Sequence, residues 1–203
     1  GALIAYVAET QKGAGVPLRL PRFEAASDHM QIDAATRSSL ELLVTQRGDV
    51  RGALRASVDM TVTGAGARLF AARLAAPLND PARINARLDA LDTLIANAME
   101  TDAIRKGLRA APDIARALTR LTLERGGPRD LGAIGRGIVQ ARALGHLLSG
   151  LTDPGDELAA IARTLAQAPE ILSDEFAKAL VEEPPLMARD GGFVASGYDG
   201  ELD

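Results

Sequence analysis

From Ala34 onward the apolar residues of this chain recur three and four apart. That interval follows one face of a 3.6-residue helix and leaves little room for anything but packed helices. The reading is organised around Thr61 to Leu78, TVTGAGARLFAARLAAPL, inside a block from Met30 to Arg87. Val58, Val62, Ala65 and Leu69 step by four, three and four. Phe70 and Leu74 widen the stripe, while Arg68 and Arg73 point elsewhere. The spacing predicts one long amphipathic helix, stopped at Pro77, because a proline ring removes a backbone donor and clashes with the preceding turn. It describes a helix made to be packed against and contains no catalytic constellation.

The remaining punctuation divides the chain into further helices. Ala2 to Lys12 places Leu3, Ile4, Val7 and Ala8 on one face and ends at Gly13-Ala14-Gly15. Between Val16 and Asp33, Leu18, Leu20, Met30 and Ile32 alternate with polar neighbours around Pro17 and Pro21, predicting a small β element or hairpin. Thr36 to Leu43 is a short helix and Gln46 to Asp49 a turn. Asn79-Asp80-Pro81 restarts the chain with a capping acid and a first-turn proline, and Ile84, Leu88, Leu91 and Ile95 form the expected core face. Thr101 to Ala110 (Ile104, Leu108) and Asp113 to Glu124 (Ile114, Leu118, Leu121) follow, separated by Ala111-Pro112. After Gly126-Gly127-Pro128 comes a heptad-like seam of Leu131, Ile134, Ile138, Ala141, Gly145 and Leu148. Gly132, Gly135, Gly137 and Gly145 each cost this helix about 1 kcal/mol against Ala, which calls for close approach of a neighbouring backbone. Two more core faces are expected, Leu158, Ile161 and Leu165 after Thr152-Asp153-Pro154, then Leu172, Phe176 and Leu180 before Glu182-Glu183-Pro184-Pro185. The tail from Gly191 reads as a loop entering a further helix.

Composition limits function more than it suggests one. The 203 residues suffice for one good core, or one domain with a fragment of another. Aromatics make up 3% and Trp is absent, so the core must be aliphatic. A net charge of −4, with twenty Arg and three Lys spread along the helices, excludes a free-standing electrostatic nucleic-acid binder. Without Cys there are no disulfides or thiolate metal sites, which agrees with a reducing cytoplasm. No apolar run approaches a bilayer span, and Gly1-Ala2-Leu3 does not begin a signal peptide. The abrupt ends read as those of a piece of something longer.

No familiar chemistry emerges. Gly64-Ala65-Gly66 lacks the third glycine and preceding strand of a dinucleotide loop, Leu69 standing in the glycine's place. No Gly-Lys-Ser/Thr occurs, so there is no Walker lysine, and no Gly-x-Ser-x-Gly elbow. His29 and His146 stand alone and read as surface or satisfied structural groups. Asp89 and Asp92, three apart beside Arg83 and Arg87, read as a solvated helix face laced with ion pairs.

The order of residues says more. Met30-Gln31-Ile32-Asp33, Thr36, Leu40-Glu41-Leu42, Asp59-Met60-Thr61, Gly66-Ala67-Arg68-Leu69 and Ala76-Pro77-Leu78 resemble the core domain of the MutS family of DNA mismatch-repair ATPases. Pro128-Arg129-Asp130-Leu131 and Asp190-Gly191-Gly192-Phe193, leading to Gly197-Tyr198-Asp199 and Glu201-Leu202-Asp203, continue the resemblance in the same order. The chain departs from the family's usual pattern at Ser39 (Asn), Ala65 (Met) and Arg73 (an aromatic). The resemblance implies the end of a connector domain over 1–13, a linker with weak strands over 14–33, and the first segment of the helical core, or lever, domain over 34–203. It implies structural and communication roles for Asp59, Thr61, Gly66, Arg68, Pro128, Arg129 and Asp130. Asp130 also suits the dipole of a helix start by about 0.3–1 kcal/mol, and this structural role is the greater.

The fold expected is therefore all-α, multi-helical, with a small β element near the N-terminus. The resemblance implies a segment that links a DNA-gripping clamp to an ATPase and performs no catalysis itself. No cofactor is expected here; ATP and Mg belong to a parent protein, as does mismatched duplex DNA, each through domains absent from this chain. A homodimeric, cytoplasmic parent is implied, with no membrane contact. Truncation should leave an apolar groove through which the fragment self-associates. The alternatives are a helical protein-interaction module unrelated to repair and, third, a nucleotide-dependent enzyme using Gly64 to Arg68.

Overall fold

The computed structural model describes residues 2–10 and 29–201, and over them the regular structure is helical. The chain divides into two units. The first holds residues 1–23, 114–136 and 170–203, and the second residues 24–113 and 137–169.

In the second unit the helices begin where local chemistry says they should. Asp33 caps α2 (Ala34–Ser39), its carboxylate accepting the Thr36 N–H at 2.8 Å and the Thr36 hydroxyl at 3.1 Å. After α3 (Leu54–Val58) and α4 (Gly64–Ala75), Asp80 caps α5 (Pro81–Ala96) through the Ala82 N–H at 2.9 Å, with Pro81 pre-set for the first turn. Asn97 alone separates α5 from α6 (Ala98–Ala110). Its amide donates to the Thr93 carbonyl at 2.8 Å and its oxygen accepts the Thr152 N–H at 3.2 Å, which ties the break to the 150–154 loop. Helix α7, Ile114–Thr122, lies in the first unit, and the 22-residue α8 (Pro128–Ser149) belongs to the first unit through Arg136 and to the second from Gly137. Helix α9 is Gly155–Ala166.

The core of this unit is aliphatic, as the scarcity of aromatics required. Ala90, Ile104, Leu144, Leu148, Leu151, Leu158 and Ala162 are buried together, with Leu94, Leu108, Leu147 and Leu165 packed around them. Gly145 permits a close crossing of α8 with the end of α9: a Cβ there would stand 3.0 Å from the Ala166 nitrogen and 3.1 Å from the Ala162 carbonyl oxygen. At Gly145 the backbone approach expected of these glycines is present. Gly135 is different, since its neighbour is the Phe176 side chain, 3.2 Å from an added Cβ.

In the first unit, α1 (Ala2–Thr10) is followed by α7, the start of α8, and α10 (Glu170–Ala179). Beyond a 3₁₀ turn at Ala188–Asp190, Gly191 and Gly192 adopt φ of +68° and +63°, a region glycine enters without penalty. Their turn lays residues 193–195 antiparallel to 179–181, with Val181 N–H to Phe193 O at 3.0 Å and Ala195 N–H to Ala179 O at 2.9 Å. The Tyr198 hydroxyl then donates to Glu175 at 2.7 Å. This bond to a carboxylate, with the charge of Glu175, raises the Tyr198 pKa.

Several expectations need correction. The long helix from Val58 is two helices, because Asp59 and Thr63 offer side-chain acceptors that compete with helical hydrogen bonding across 59–63. The expected face of α5 is the wrong one: Ala90 is buried, while Ile84, Leu88, Leu91 and Ile95 are exposed by 36, 51, 54 and 74%. The same substitution of a small residue for a large one recurs. Ala117, not Leu118, is buried on α7, Ala162, not Ile161, on α9, and Ser173, not Leu172, on α10. Helix α2 stops at Ser39, short of the predicted Leu43. The predicted β element reduces, among the described residues, to an isolated bridge between His29 and Leu78; Leu18, Leu20 and the Gly13–Gly15 helix stop lie outside them. The α8 seam stands, with Ile134, Ile138 and Leu148 buried and Leu144 added to it.

Candidate functional site

Asp59, Thr61, Gly66 and Arg68 lie together in the second unit. The Asp59 carboxylate accepts the Thr61 hydroxyl at 2.6 Å and the Thr61 N–H at 3.0 Å, and pairs with Arg55 at 3.3 Å. The Thr61 hydroxyl and N–H, then Arg55, hold the Asp59 carboxyl below the usual carboxylate range. Thr63 caps α4 by accepting the Gly66 N–H at 2.9 Å. A Cβ at Gly66 would sit 2.8 Å from that same hydroxyl oxygen, so the glycine makes room for the cap. One terminal nitrogen of Arg68, Nη2, donates to both oxygens of Asp113, at 3.0 and 2.8 Å, beside Gly64. Arg105 donates to the Met60 carbonyl at 3.2 Å. Arg55, Asp59, Thr61, Thr63 and Gly64, among others, line an open depression of about 650 Å³. The arrangement stiffens a turn between two helices.

Pro128, Arg129 and Asp130 belong to the first unit and form a helix start. Pro128 is the first residue of α8, where its missing N–H costs nothing. Asp130 reaches back to accept the Gly127 N–H at 3.0 Å, one half of a capping box, and sits 3.3 Å from Arg120 Nε. Among the described residues that guanidinium nitrogen is buried without an aligned hydrogen-bond partner, and the Asp130 carboxylate compensates it. Arg129 donates to the Pro184 carbonyl at 3.3 Å and, with Arg136, Glu182 and Glu183, lines a cleft of about 500 Å³. Gly127 lies against the Leu186 backbone, where a Cβ would overlap the carbonyl oxygen.

The other candidates resolve simply. His29 Nδ1 bonds the Ala76 carbonyl at 2.9 Å, a structural role that requires the Nδ1–H tautomer, and His146 is exposed. Among the described residues no three carboxylates or histidines converge on a metal position. Asp89 and Asp92 are exposed, as a solvated helix face should be, but among the described residues neither forms an ion pair within 4.0 Å, which corrects that part of the expectation. Gly64-Ala65-Gly66 is the first turn of a capped helix, with no strand before it among the described residues.

Sequence reasoning missed Arg55, Thr63, Asp113 and Arg120. Thr63 was legible, since a threonine before an apolar-periodic run is an N-cap signal. Arg68 and Asp113 are 45 residues apart, and no local pattern links them.

Comparison with known proteins places the chain in a family. The description MutS domain III matches residues 35–199. The chain is 49% identical over its whole length to the DNA mismatch repair protein MutS of Rhodopseudomonas palustris (strain HaA2). It is 50% identical, again over 100% of its length, to the proteins of that name from Bradyrhizobium sp. (strain ORS 278) and Azorhizobium caulinodans. It spans 22% of the length of each of these relatives. On the match across residues 35–199 and the half-identical relatives along its full length, the chain belongs to the MutS family, as its domain III.

Proposed function

We propose that this chain is the lever segment of a DNA mismatch-repair ATPase. It links a DNA-binding clamp to an ATP-hydrolysing domain and performs no chemistry itself. The observation that carries the reading is α8, 22 residues without a break and held at each end. Its start is fixed by the Gly127–Asp130–Arg120 cap, and its second half is seated on α9 at Gly145. A helix anchored in this way is displaced as a body, and packed elements respond to displacement by switching between discrete arrangements. Asp59, Gly66, Arg68, Pro128, Arg129 and Asp130 contribute caps, turns and braces, which is what transmission of movement needs. ATP, Mg and mismatched duplex DNA would be bound by other parts of a longer, homodimeric, cytoplasmic parent.

Two experiments test this. The isolated chain should bind matched and mismatched duplexes equally poorly, with an affinity of about 10⁻⁴ M or weaker at physiological salt, and release no phosphate from ATP. Submicromolar, mismatch-selective binding in a fluorescence-anisotropy titration would overturn the reading. In a chimera, this segment replaces the matching stretch of the full-length Rhodopseudomonas relative. Asp130→Ala in that chimera should uncouple ATP turnover from mismatch binding and leave DNA affinity and basal turnover in place. Unchanged coupling would refute the lever role of the α8 anchor.

A further inference from the structure

Helices α5 and α6 are interrupted at one residue, and nothing in the local sequence asks for it. From Ala82 to Lys106 the chain holds neither Pro nor Gly, and the break at Asn97 stands between Ala96 and Ala98, the strongest of helix formers. Asn97 lies outside the helical region, at φ −106° and ψ 61°. Its N–H still bonds the Thr93 carbonyl at 3.0 Å, and its carbonyl still accepts the Thr101 N–H at 2.9 Å. Both helical ladders therefore end on this residue. An uninterrupted helix would pair the carbonyls of Leu94, Ile95 and Ala96 with the amides of Ala98, Met99 and Glu100. At the break the Leu94 carbonyl accepts the Thr101 hydroxyl instead, at 2.6 Å.

What holds the break is tertiary. The Asn97 carboxamide takes both backbone groups of Thr152, accepting its N–H at 3.2 Å and donating to its carbonyl at 3.4 Å, as a neighbouring strand would. The Thr93 hydroxyl donates to the next carbonyl, that of Asp153, at 3.0 Å. The loop receiving these bonds joins α8 to α9 and turns at Asp153 with φ +51°, a region that a residue other than glycine enters at a cost, so its shape depends on what it bonds. We propose that Asn97 is the latch of a two-state joint. Engaged with residues 152–153 it keeps α5 and α6 apart; released, the two run on as a single helix over residues 81–110. The engaged state also seats Ile104 of α6 in the same core as Ala90 of α5, so the two states differ in packing as well as in hydrogen bonds, and the joint moves between discrete arrangements. The 150–154 loop leaves the end of α8 directly, so a shift at that end is read out between α5 and α6. The inference concerns the conformation of this chain and stands apart from the lever reading.

Asn97→Ala removes the latch and supplies the strongest helix former, whereas Asn97→Gly removes it and supplies a weak one. Hydrogen exchange of the 203-residue chain, followed by NMR, separates their effects. In both variants the Thr152 amide should exchange at least about tenfold faster. In Asn97→Ala alone, the amides of Ala98, Met99 and Glu100 should exchange at least about tenfold slower than in the parent chain, because they gain helical partners. A residue that merely capped the two helices would give the opposite sign there. Because the chain has no cysteine, Asn85→Cys with Lys106→Cys, both at exposed positions, places a pair of spin labels across the joint. Adding Asn97→Ala should lengthen their separation, measured by pulsed electron paramagnetic resonance, towards about 32 Å, the span of a continuous helix rising about 1.5 Å per residue. Unchanged or faster exchange at residues 98–100 in Asn97→Ala, or an unchanged label separation, would overturn the proposal.

Discussion

Replacing Gly127 by Ala tests the anchoring of α8 most directly. An added Cβ would overlap the Leu186 carbonyl oxygen and stand 3.2 Å from its carbon and 3.6 Å from Met187 Cα. All three atoms are backbone, so no side chain can rotate away. Gly127 has no positive φ, and the substitution carries no conformational strain of its own. Reduced freedom of the unfolded chain favours alanine by about 0.4–1 kcal/mol. Against that, overpacking costs about 1–3 kcal/mol, toward the upper end when backbone must shift. Any shift also strains the Gly127 N–H to Asp130 bond, a further contribution of about 1 kcal/mol. The net expectation is a loss of about 3 kcal/mol, or about 6–12 °C in Tm for a chain of this size. Thermal and urea unfolding followed by circular dichroism measures it. Gly200→Ala serves as the control, because no atom lies within 4 Å of its added Cβ. If Gly127→Ala melts with the parent chain or above it while the control is neutral, the tight seat of α8 on the 186–187 backbone is refuted.

Three further outcomes follow from the same contacts. Asp130→Ala removes a cap and leaves Arg120 Nε buried and uncompensated, so it should cost about 2–3 kcal/mol by urea denaturation, more than Asp130→Asn. Arg68→Ala breaks a pair whose side chains are 58% and 27% exposed, and double-mutant analysis with Asp113→Ala should give a coupling of about 1 kcal/mol or less. The depressed carboxyls of Asp59 and Asp33 contribute stability that is complete above their unfolded pKa of about 3.9 and lost as pH falls through the lower folded values. Unfolding midpoints should therefore decline below about pH 4, and less steeply in Asp59→Asn, a difference urea titrations across pH 2–6 will detect.

The caps show what was legible in the chain itself. Asp80-Pro81, the Gly127-Pro128 start with Asp130 behind it, and the glycine turn at 191–192 act within a few residues of themselves, so their chemistry is written locally and the structure repeats it. The ordered blocks from Met30 to Tyr198 likewise identified the family before any packing was known. Periodicity, in contrast, states that a face is apolar and not whether the fold covers it. On α5 the larger stripe, Ile84 to Ile95, stays outside, and the core is reached through Ala90 and Leu94. Small residues win on α5 and α9, which pack on each other, because helices crossing closely, as α8 also crosses α9 at Gly145, leave room for a methyl group and not for a branched chain. That choice depends on the distance between helix axes. No spacing within one helix encodes it, and only the tertiary structure, by bringing Ala162 and Ala166 against Gly145, decides it.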